Sequence, residues 1–459
     1  MREITLAEIE KAVDGKILAG SGREKISGVC TDSRKAGPED LFVPLIGEVH
    51  DAHKFIPQAA ERGCRTFLTS REDALPSEDG VRAILVSDTT RALQALAAWY
   101  LETLNLKKIA VTGSVGKTST RDMVYYILKE RFVTGTTAGN FNNDIGVPLT
   151  IFSFDDTMEA AVLEVGMDHF GEIHRLVDII RPDIGIITNV GISHIENLGS
   201  RQGILQAKME IADYFGEHNT LVINSSNDML KTVEHSGSYE TLTVGESADA
   251  DYFVHDVTDL GEKGISYKLT AEGETYEVFL QIPGAHNALN SALAIAACRK
   301  LNVSFEEALK GLAKLQLTGK RLTVKDEGGI KVIDDTYNAA PDSMKSALNT
   351  LMHTSGMRKI AVLSGMNELG EDSREYHRDV GRFAAERKVD LLITVGEKAA
   401  DIAEGAKKAG GIKVLHFDCK DSLYQVLDEL LTEGDAVLVK GSRTMEMEQV
   451  VSRILKEQE

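Results

Sequence analysis

The chain has 459 residues, 42% of them apolar and 27% charged, with a net charge of −20. This is the composition of an ordinary globular protein, so a disordered or fibrous chain is excluded, and the length predicts about three domains. The acidic balance argues against a broad nucleic-acid-binding surface, but it leaves room for a local cationic pocket that takes one phosphorylated ligand.

No apolar run reaches the roughly 18 residues of a membrane-spanning helix. The N-terminal MREITLAEIE is charged along its length and has no apolar secretory stretch, so no membrane span and a cytoplasmic location are expected. Cys30, Cys64, Cys298 and Cys419 lie far apart and form no CxxC pair. Free cysteines acting as small buried apolar groups in a reducing compartment are expected, not disulfides or a zinc site.

Residues 1–87 read as a small α/β module. Short strand-like runs at 28–31, 41–45, 66–69 and 83–86 surround one helix near 55–63. Residues 88–318 form a second block. A helical stretch leads to the β-rich run 108–112, a glycine turn and a helix over 118–131, with further buried-strand candidates at 161–165, 183–190 and 220–224. Strands alternating with helices predict a mostly parallel sheet covered on both faces. Residues 251–282 alternate instead like an antiparallel hairpin inserted before a helix at 286–301. Residues 319–459 show strands at 359–363, 390–395, 413–417 and 435–440 between helices, a Rossmann-like module. The predicted class is α/β in three domains: a small N-terminal module, a central parallel-sheet ATPase-like domain with a phosphate loop, and a Rossmann-like C-terminal domain.

The sharpest local signal is Thr112-Gly113-Ser114-Val115-Gly116-Lys117-Thr118-Ser119, placed after a strand and opening a helix. Backbone amides of such a turn, with the helix N-terminus, make an anion site. Lys117 is then expected on the β- and γ-phosphates of a nucleotide and the Thr118 hydroxyl on Mg²⁺. The common pattern has glycine five residues before Gly116, where this chain has Val111, so the loop is a shortened variant.

Glu164 ends an apolar strand and is expected at the carboxyl edge of the sheet, where ligands bind in open α/β folds and where a carboxylate suits Mg²⁺. His194 follows the strand ending at Val190 and falls at the same edge, within reach of a second metal ion or as a structural histidine. Lys208 is, by itself, a lysine on a helix. Asn287 and Asn290 share one helix face, placed for a base edge or for capping. Arg321 stands at the boundary between the second and third blocks, where a cation reaches phosphates across a cleft. Asp335 and Asn338 follow the strand at 330–333, where carboxylates hold ribose hydroxyls, a metal or a loop cap.

Together these segments resemble the Mur ligase family over essentially the whole chain, most closely its D-alanyl-D-alanine-adding branch. TDSR (31–34) and DLFVPL (40–45) are similar to the family's uridine-nucleotide segment, and GNFNNDIGVPLT (139–150) to its muramoyl-substrate segment. EVGMDHFGEI, NVGISHIENLGS, AKMEI, DDTYNAAPDSM and VKGSRTMEME follow in family order. The D-N-P-R motif of the diaminopimelate-adding branch is absent.

The resemblance implies ATP and Mg²⁺, two ions being expected. It implies Thr118, Glu164, His194 and a carbamylated Lys208 as metal positions, and Lys117, Lys208, His194 and Arg321 as catalytic. The loop 113–119, Asn287, Asn290, Arg321, Asp335 and Asn338 would hold the nucleotide, and Ser33, Arg34, Asn140, Asn142 and Asn143 the UDP-linked substrate. The implied partners are UDP-N-acetylmuramoyl-tripeptide and D-Ala-D-Ala, on a monomeric enzyme. Two departures stand out. Gly365 replaces the aspartate of the family's L-G-D-M-x-E-L-G, and Lys320 separates Gly319 from Arg321. The implied reaction is amide formation through an acyl phosphate. The alternatives are another Mur-type ligase adding a single amino acid, a folylpolyglutamate synthetase-like enzyme, and a nucleotide-dependent scaffold without ligase activity.

Overall fold

The computed structural model describes residues 1–47, 50–233 and 237–456. Three sheets divide the chain in sequence order. The first has five strands in the order Lys16–Ala19, Arg82–Leu85, Thr66–Thr69, Asp40–Phe42, Gly28–Cys30. All neighbours are parallel except the Lys16–Ala19 edge, which pairs antiparallel with Arg82–Leu85 and has no counterpart in the sequence reading. The preceding helix, Leu6–Ala12, starts in a reciprocal cap: Thr5 accepts from the Glu8 amide while Glu8 accepts from the Thr5 amide.

The second sheet has nine strands, in the order Glu274–Leu280, Ile265–Ala271, Tyr252–Asp259, Glu240–Gly245, Thr220–Asn224, Ile184–Ile187, Lys107–Thr112, Ala160–Glu164, Thr134–Thr136. The run from Tyr252–Asp259 through Thr134–Thr136 is parallel, and its strands at 109–112, 160–164 and 184–187 are buried throughout, as strands covered on both faces must be. The expected hairpin at 251–282 is a three-stranded antiparallel extension of this same sheet, bulged between His255 and Thr258. One face is covered by the helices Lys117–Leu128, Asn287–Lys300 and Phe305–Leu312. The other packs Thr89–Leu104, Glu172–Ile180 and Arg201–Met209 into a core continuous with that of the N-terminal sheet.

The third sheet runs Thr323–Glu327, Ile330–Asp335, Asp435–Lys440, Arg358–Ser364, Leu391–Val395, Lys413–Phe417, parallel apart from the first strand. Separate apolar clusters fill its two faces.

Register brings the chemistry together. Glu164 lies level with Val111 and Ile187 level with Thr112, so the ends of three strands meet where the Thr112–Thr118 loop begins. In the third sheet Asp335 pairs in register with Lys440. The carboxyl edges of the second and third sheets both contribute to the lining of one cavity. Of the cysteines, Cys64 and Cys298 are buried as expected and Cys30 is half-buried. Cys419 departs from the expectation, because it lies in the exposed turn before the short helix Lys420–Tyr424.

Candidate active site

The cavity measures about 580 Å³ and is lined from both the central and the C-terminal sheet. Its floor is the loop after Lys107–Thr112. Gly116 adopts φ 85° at the start of the following helix. A side chain at Gly113 (φ 152°) would collide with Thr188, its Cβ lying 1.8 Å from Oγ1. Only glycine fits either place. The loop is braced by the neighbouring strand end: the Val115 amide donates to Asn189 Oδ1 at 2.9 Å, and Thr188 Oγ1 donates to the Val115 carbonyl at 2.6 Å. The first amides of the Lys117–Leu128 helix have no carbonyl of their own helix to bond, so the turn presents donors with a positive dipole end.

Beside it, the Thr118 hydroxyl donates to Glu164 Oε2 at 2.7 Å and accepts from Arg321 Nη2 at 2.9 Å. Asn142 Nδ2 donates to Glu164 Oε1 at 2.8 Å. The Arg321 guanidinium also lies 4.1 Å from the centre of the Tyr337 ring. Arg321 therefore reaches from the start of the C-terminal block onto the central domain's loop. Lys117 Nζ folds back on the Gly113 carbonyl at 2.8 Å. Desolvation lowers its pKa, and Arg321 lowers it further, against the attraction of Glu164 and Asp168.

Lys208 is 2% exposed. Desolvation, with repulsion from Lys117, drives its pKa well below the ordinary lysine value, which favours the neutral amine. It does not line the cavity itself but is close enough to Lys117 to feel its charge.

His194 occupies the left-handed region (φ 64°) where the Ile195–Leu198 helix begins. Its Nδ1 lies 3.1 Å from Asp168 and also pairs with Glu368 of the C-terminal domain. The donor atoms of these three side chains fall within 4.8 Å of one another. The closeness of the His194 ring is the main cause that holds the Glu368 carboxyl below its usual value.

On the far wall Asn290 donates to Asn287 Oδ1 at 3.1 Å, and Asn287 donates to the Pro283 carbonyl at 2.8 Å, so both amides are buried and oriented. Asp335 Oδ2 accepts from the buried Lys440 at 2.6 Å, and Lys440 also donates to the Asn338 carbonyl at 2.8 Å.

The structure thus gathers Ser114, Val115, Gly116, Lys117, Thr118, Ser119, Glu164, His194, Asn287, Asn290, Arg321, Asp335 and Asn338, with Asn142 and Asn143, around one cavity. It does not bring the other substrate positions there. Ser33 donates to Gln58 at 2.6 Å, and Arg34 pairs with Asp32 on the N-terminal module at 2.9 Å. Asn140 is exposed on the loop before Asn142. Residues that the sequence reading did not single out also line the cavity: His286, Tyr337, Asp168, Asp342 and Lys440. Asp168 was within reach of a sequence signal, four residues past Glu164 on the same strand exit. Lys440 and Glu368 lie far along the chain, inside the family-like segments VKGSRTMEME and Leu363–Gly370, but local spacing alone gives neither of them a role. A Cβ at Gly365 would lie 2.8 Å from that of Lys398, so the space an aspartate would need is filled by that lysine.

Three sequence profiles match the chain: the Mur ligase family catalytic domain over 25–100, the Mur ligase middle domain over 111–298, and the Mur ligase glutamate ligase domain over 320–443. The UDP-N-acetylmuramoyl-tripeptide--D-alanyl-D-alanine ligase of Bacillus subtilis is 39% identical over 456 residues, 98% of each chain. The fold superposes on a crystal structure of MurF from Acinetobacter baumannii with a TM-score of 0.92 at 32% identity, covering 100% of both chains. It superposes on MurF ligase from Thermotoga maritima in complex with ADP with a TM-score of 0.82 at 29% identity, covering 94% of this chain and 97% of that one.

Proposed function

This chain belongs to the Mur ligase family, and from that premise we propose that it joins D-alanyl-D-alanine to UDP-N-acetylmuramoyl-tripeptide at the expense of ATP, in the cytoplasm. The observation that carries the reading is the Lys117–Thr118–Glu164–Arg321 constellation at the mouth of a glycine-built phosphate loop. Relatives that cover nearly the whole chain and carry this activity in their names supply the substrates. We assign residues 1–87 to the UDP moiety, 88–318 to ATP and 319–459 to closure over both.

A carboxylate and an amine do not condense at neutral pH, because the carboxylate is a poor electrophile. Transfer of the γ-phosphoryl group to the terminal carboxylate of the tripeptide creates a leaving group. Catalysis then rests on positioning and charge stabilisation. Lys117 and the loop amides hold the β- and γ-phosphates in line with the incoming carboxylate. Arg321, drawn onto Thr118, adds positive charge from the other domain. Asn287 and Asn290 offer amide edges to the base, and Asp335, fixed by Lys440, is placed for the ribose.

The donor set fits Mg²⁺: a buried carboxylate and a hydroxyl 2.7 Å apart are hard oxygen ligands. Glu164 and Thr118 would hold one ion. His194 would serve a second, together with Lys208 after carbamylation, for which a buried neutral amine is the reactive form. Bound Mg²⁺ would supply neutralisation of the triphosphate's charge.

Incubation with tripeptide substrate carrying ¹⁸O in its terminal carboxylate tests the reading. One ¹⁸O per turnover is expected in the released phosphate, with the pentapeptide product seen by mass spectrometry. Phosphate free of label would remove the acyl-phosphate route.

A further inference from the structure

Activation of the carboxylate leaves open how the amine is received. At neutral pH the amino group of the dipeptide arrives as an ammonium, which cannot attack until it loses a proton. The cavity contains one acid without an assigned partner. Asp144 pairs with Arg175 and Asp168 with His194. Glu164 accepts from Thr118 and Asn142, Glu172 accepts from the amides of Asp168 and His169, and Asp335 pairs with Lys440. Asp342, which also lines the cavity, has no hydrogen bond or ion pair among the described residues.

Its position is specific. Asp342 is the second residue of the Pro341–His353 helix and enters the cavity from the C-terminal domain. Across the cleft it faces Gly191, where an added Cβ would lie 2.5 Å from Asp342 Oδ2 and 3.4 Å from the Cβ of Ser114. The Gly191 amide donates to Ser114 Oγ of the phosphate loop at 2.9 Å. The free carboxylate therefore stands over the phosphate loop, on the domain opposite it. An acid in a helix's first turn gains from the helix dipole anywhere on the helix surface. That gain does not require it to face an anion site, where a carboxylate repels the nucleotide.

The charged groups around Asp342 do not neutralise it. Lys345 on its own helix is paired with Asp379 of the next helix, and Arg201 of the central domain is paired with Asp228. Asp342 is itself exposed to the solvent of the open cleft. Crowding by the surrounding protein still raises its carboxyl, with Lys345 and Arg201 acting against that shift and Asp228 and Asp379 with it. A solvent-accessible carboxylate with no protein partner, lining a cavity beside a phosphate site, is free to receive a cation.

We propose that Asp342 binds the ammonium of the amino substrate and takes its first proton. This rests on the ligase reading above. The nitrogen lone pair freed by that transfer forms the C–N bond to the acyl-phosphate carbonyl. The C–O bond to phosphate then breaks, and phosphate leaves with the electron pair. The nitrogen's second proton goes to the departing phosphate, and the proton on Asp342 returns to solvent.

The test is kinetic and uses the full chain as Asp342→Asn and Asp342→Glu. Removing a charge-assisted bond to the ammonium should raise the KM for D-Ala-D-Ala by about tenfold or more. The KM values for ATP and the tripeptide should stay within about twofold. Positional isotope exchange in ATP, run with the tripeptide alone, should persist, because it reports acyl-phosphate formation without the amine. The acidic limb of kcat/KM for the dipeptide should disappear in the Asn variant and return in the Glu variant. An unchanged dipeptide KM would overturn the proposal. So would equal loss of the exchange reaction, which would place Asp342 in domain closure, and so would recovery of the Asn variant by raised Mg²⁺, which would make it a metal ligand. Wild-type protein without dipeptide-dependent turnover would instead defeat the ligase reading itself.

Discussion

The phosphate loop and the N-terminal substrate segment are both short motifs, yet they stand differently in the folded chain. Thr118 is held between Glu164 of one strand end and Arg321 from the next domain, and Val115 is braced by Asn189. Ser33 and Arg34 satisfy themselves locally, on Gln58 and Asp32, away from the cavity. Arg34 is bidentate on Asp32, whose carboxyl that bond holds down to about 2. The nucleotide side is thus assembled by the protein's own long-range contacts before any ligand arrives. Under the proposed assignment of this segment to the UDP-linked substrate, Arg34 would exchange an internal ion pair for a ligand contact. Removing a residue from the first region should destroy turnover, and removing one from the second should weaken binding.

The largest effect is expected for Lys117→Ala. Loss of the phosphate-facing cation should cut ADP formation by about a thousandfold or more, and phosphate release under saturating substrates measures it. Near-normal turnover would dissolve the contrast between the two regions. Lys208→Ala should cost about a hundredfold, with partial recovery on adding short-chain carboxylic acids, which restore an anionic oxygen in the vacated space. An unimpaired variant would remove the carbamate assignment. Arg34→Ala should raise the KM for the UDP-linked substrate by about tenfold with little change in kcat. A fall in kcat at unchanged KM would show that the N-terminal segment belongs with the catalytic region after all.

The smallest effect concerns the joint between the two cavity walls. Glu262, on the turn of the sheet extension, accepts from Lys331 at 2.6 Å and from the Ser355 amide at 2.9 Å, both in the C-terminal domain. Desolvation opposes ionisation there, but those hydrogen bonds outweigh it and bring the carboxyl down to about 2. The folded-state value lies below the unfolded one. The contribution is therefore complete above the ordinary glutamate value and is lost as pH falls from there towards 2. Glu262→Gln should flatten that part of the thermal-stability profile by a small amount. Identical profiles would show that this contact does not tie the domains.

These contrasts follow what a sequence can express. The loop at 112–119, the strand ending at Glu164 and the paired asparagines at 287 and 290 are local patterns, and backbone geometry turns each into a fixed place at a sheet edge. The antiparallel extension at 252–280 was legible as alternation, but not as three strands continuing the main sheet, because pairing partners are not encoded in periodicity. The Lys16–Ala19 strand was missed because its four residues carry too little pattern. The Asp335–Lys440 pair, the Glu368–His194 contact and the position of Asp342 over Gly191 join segments separated by many residues. Strand pairing within the third sheet makes the first of these, and the packing of the central against the C-terminal sheet makes the other two. The cysteines show the same limit: a residue type with a strong burial preference gave no warning that Cys419 would be exposed.

The most direct measurement is phosphate release from ATP and Mg²⁺ with UDP-N-acetylmuramoyl-tripeptide, with and without D-Ala-D-Ala. The account predicts steady release only when both substrates are present. Steady release that ignores the dipeptide, or that a single amino acid supports equally well, would contradict it.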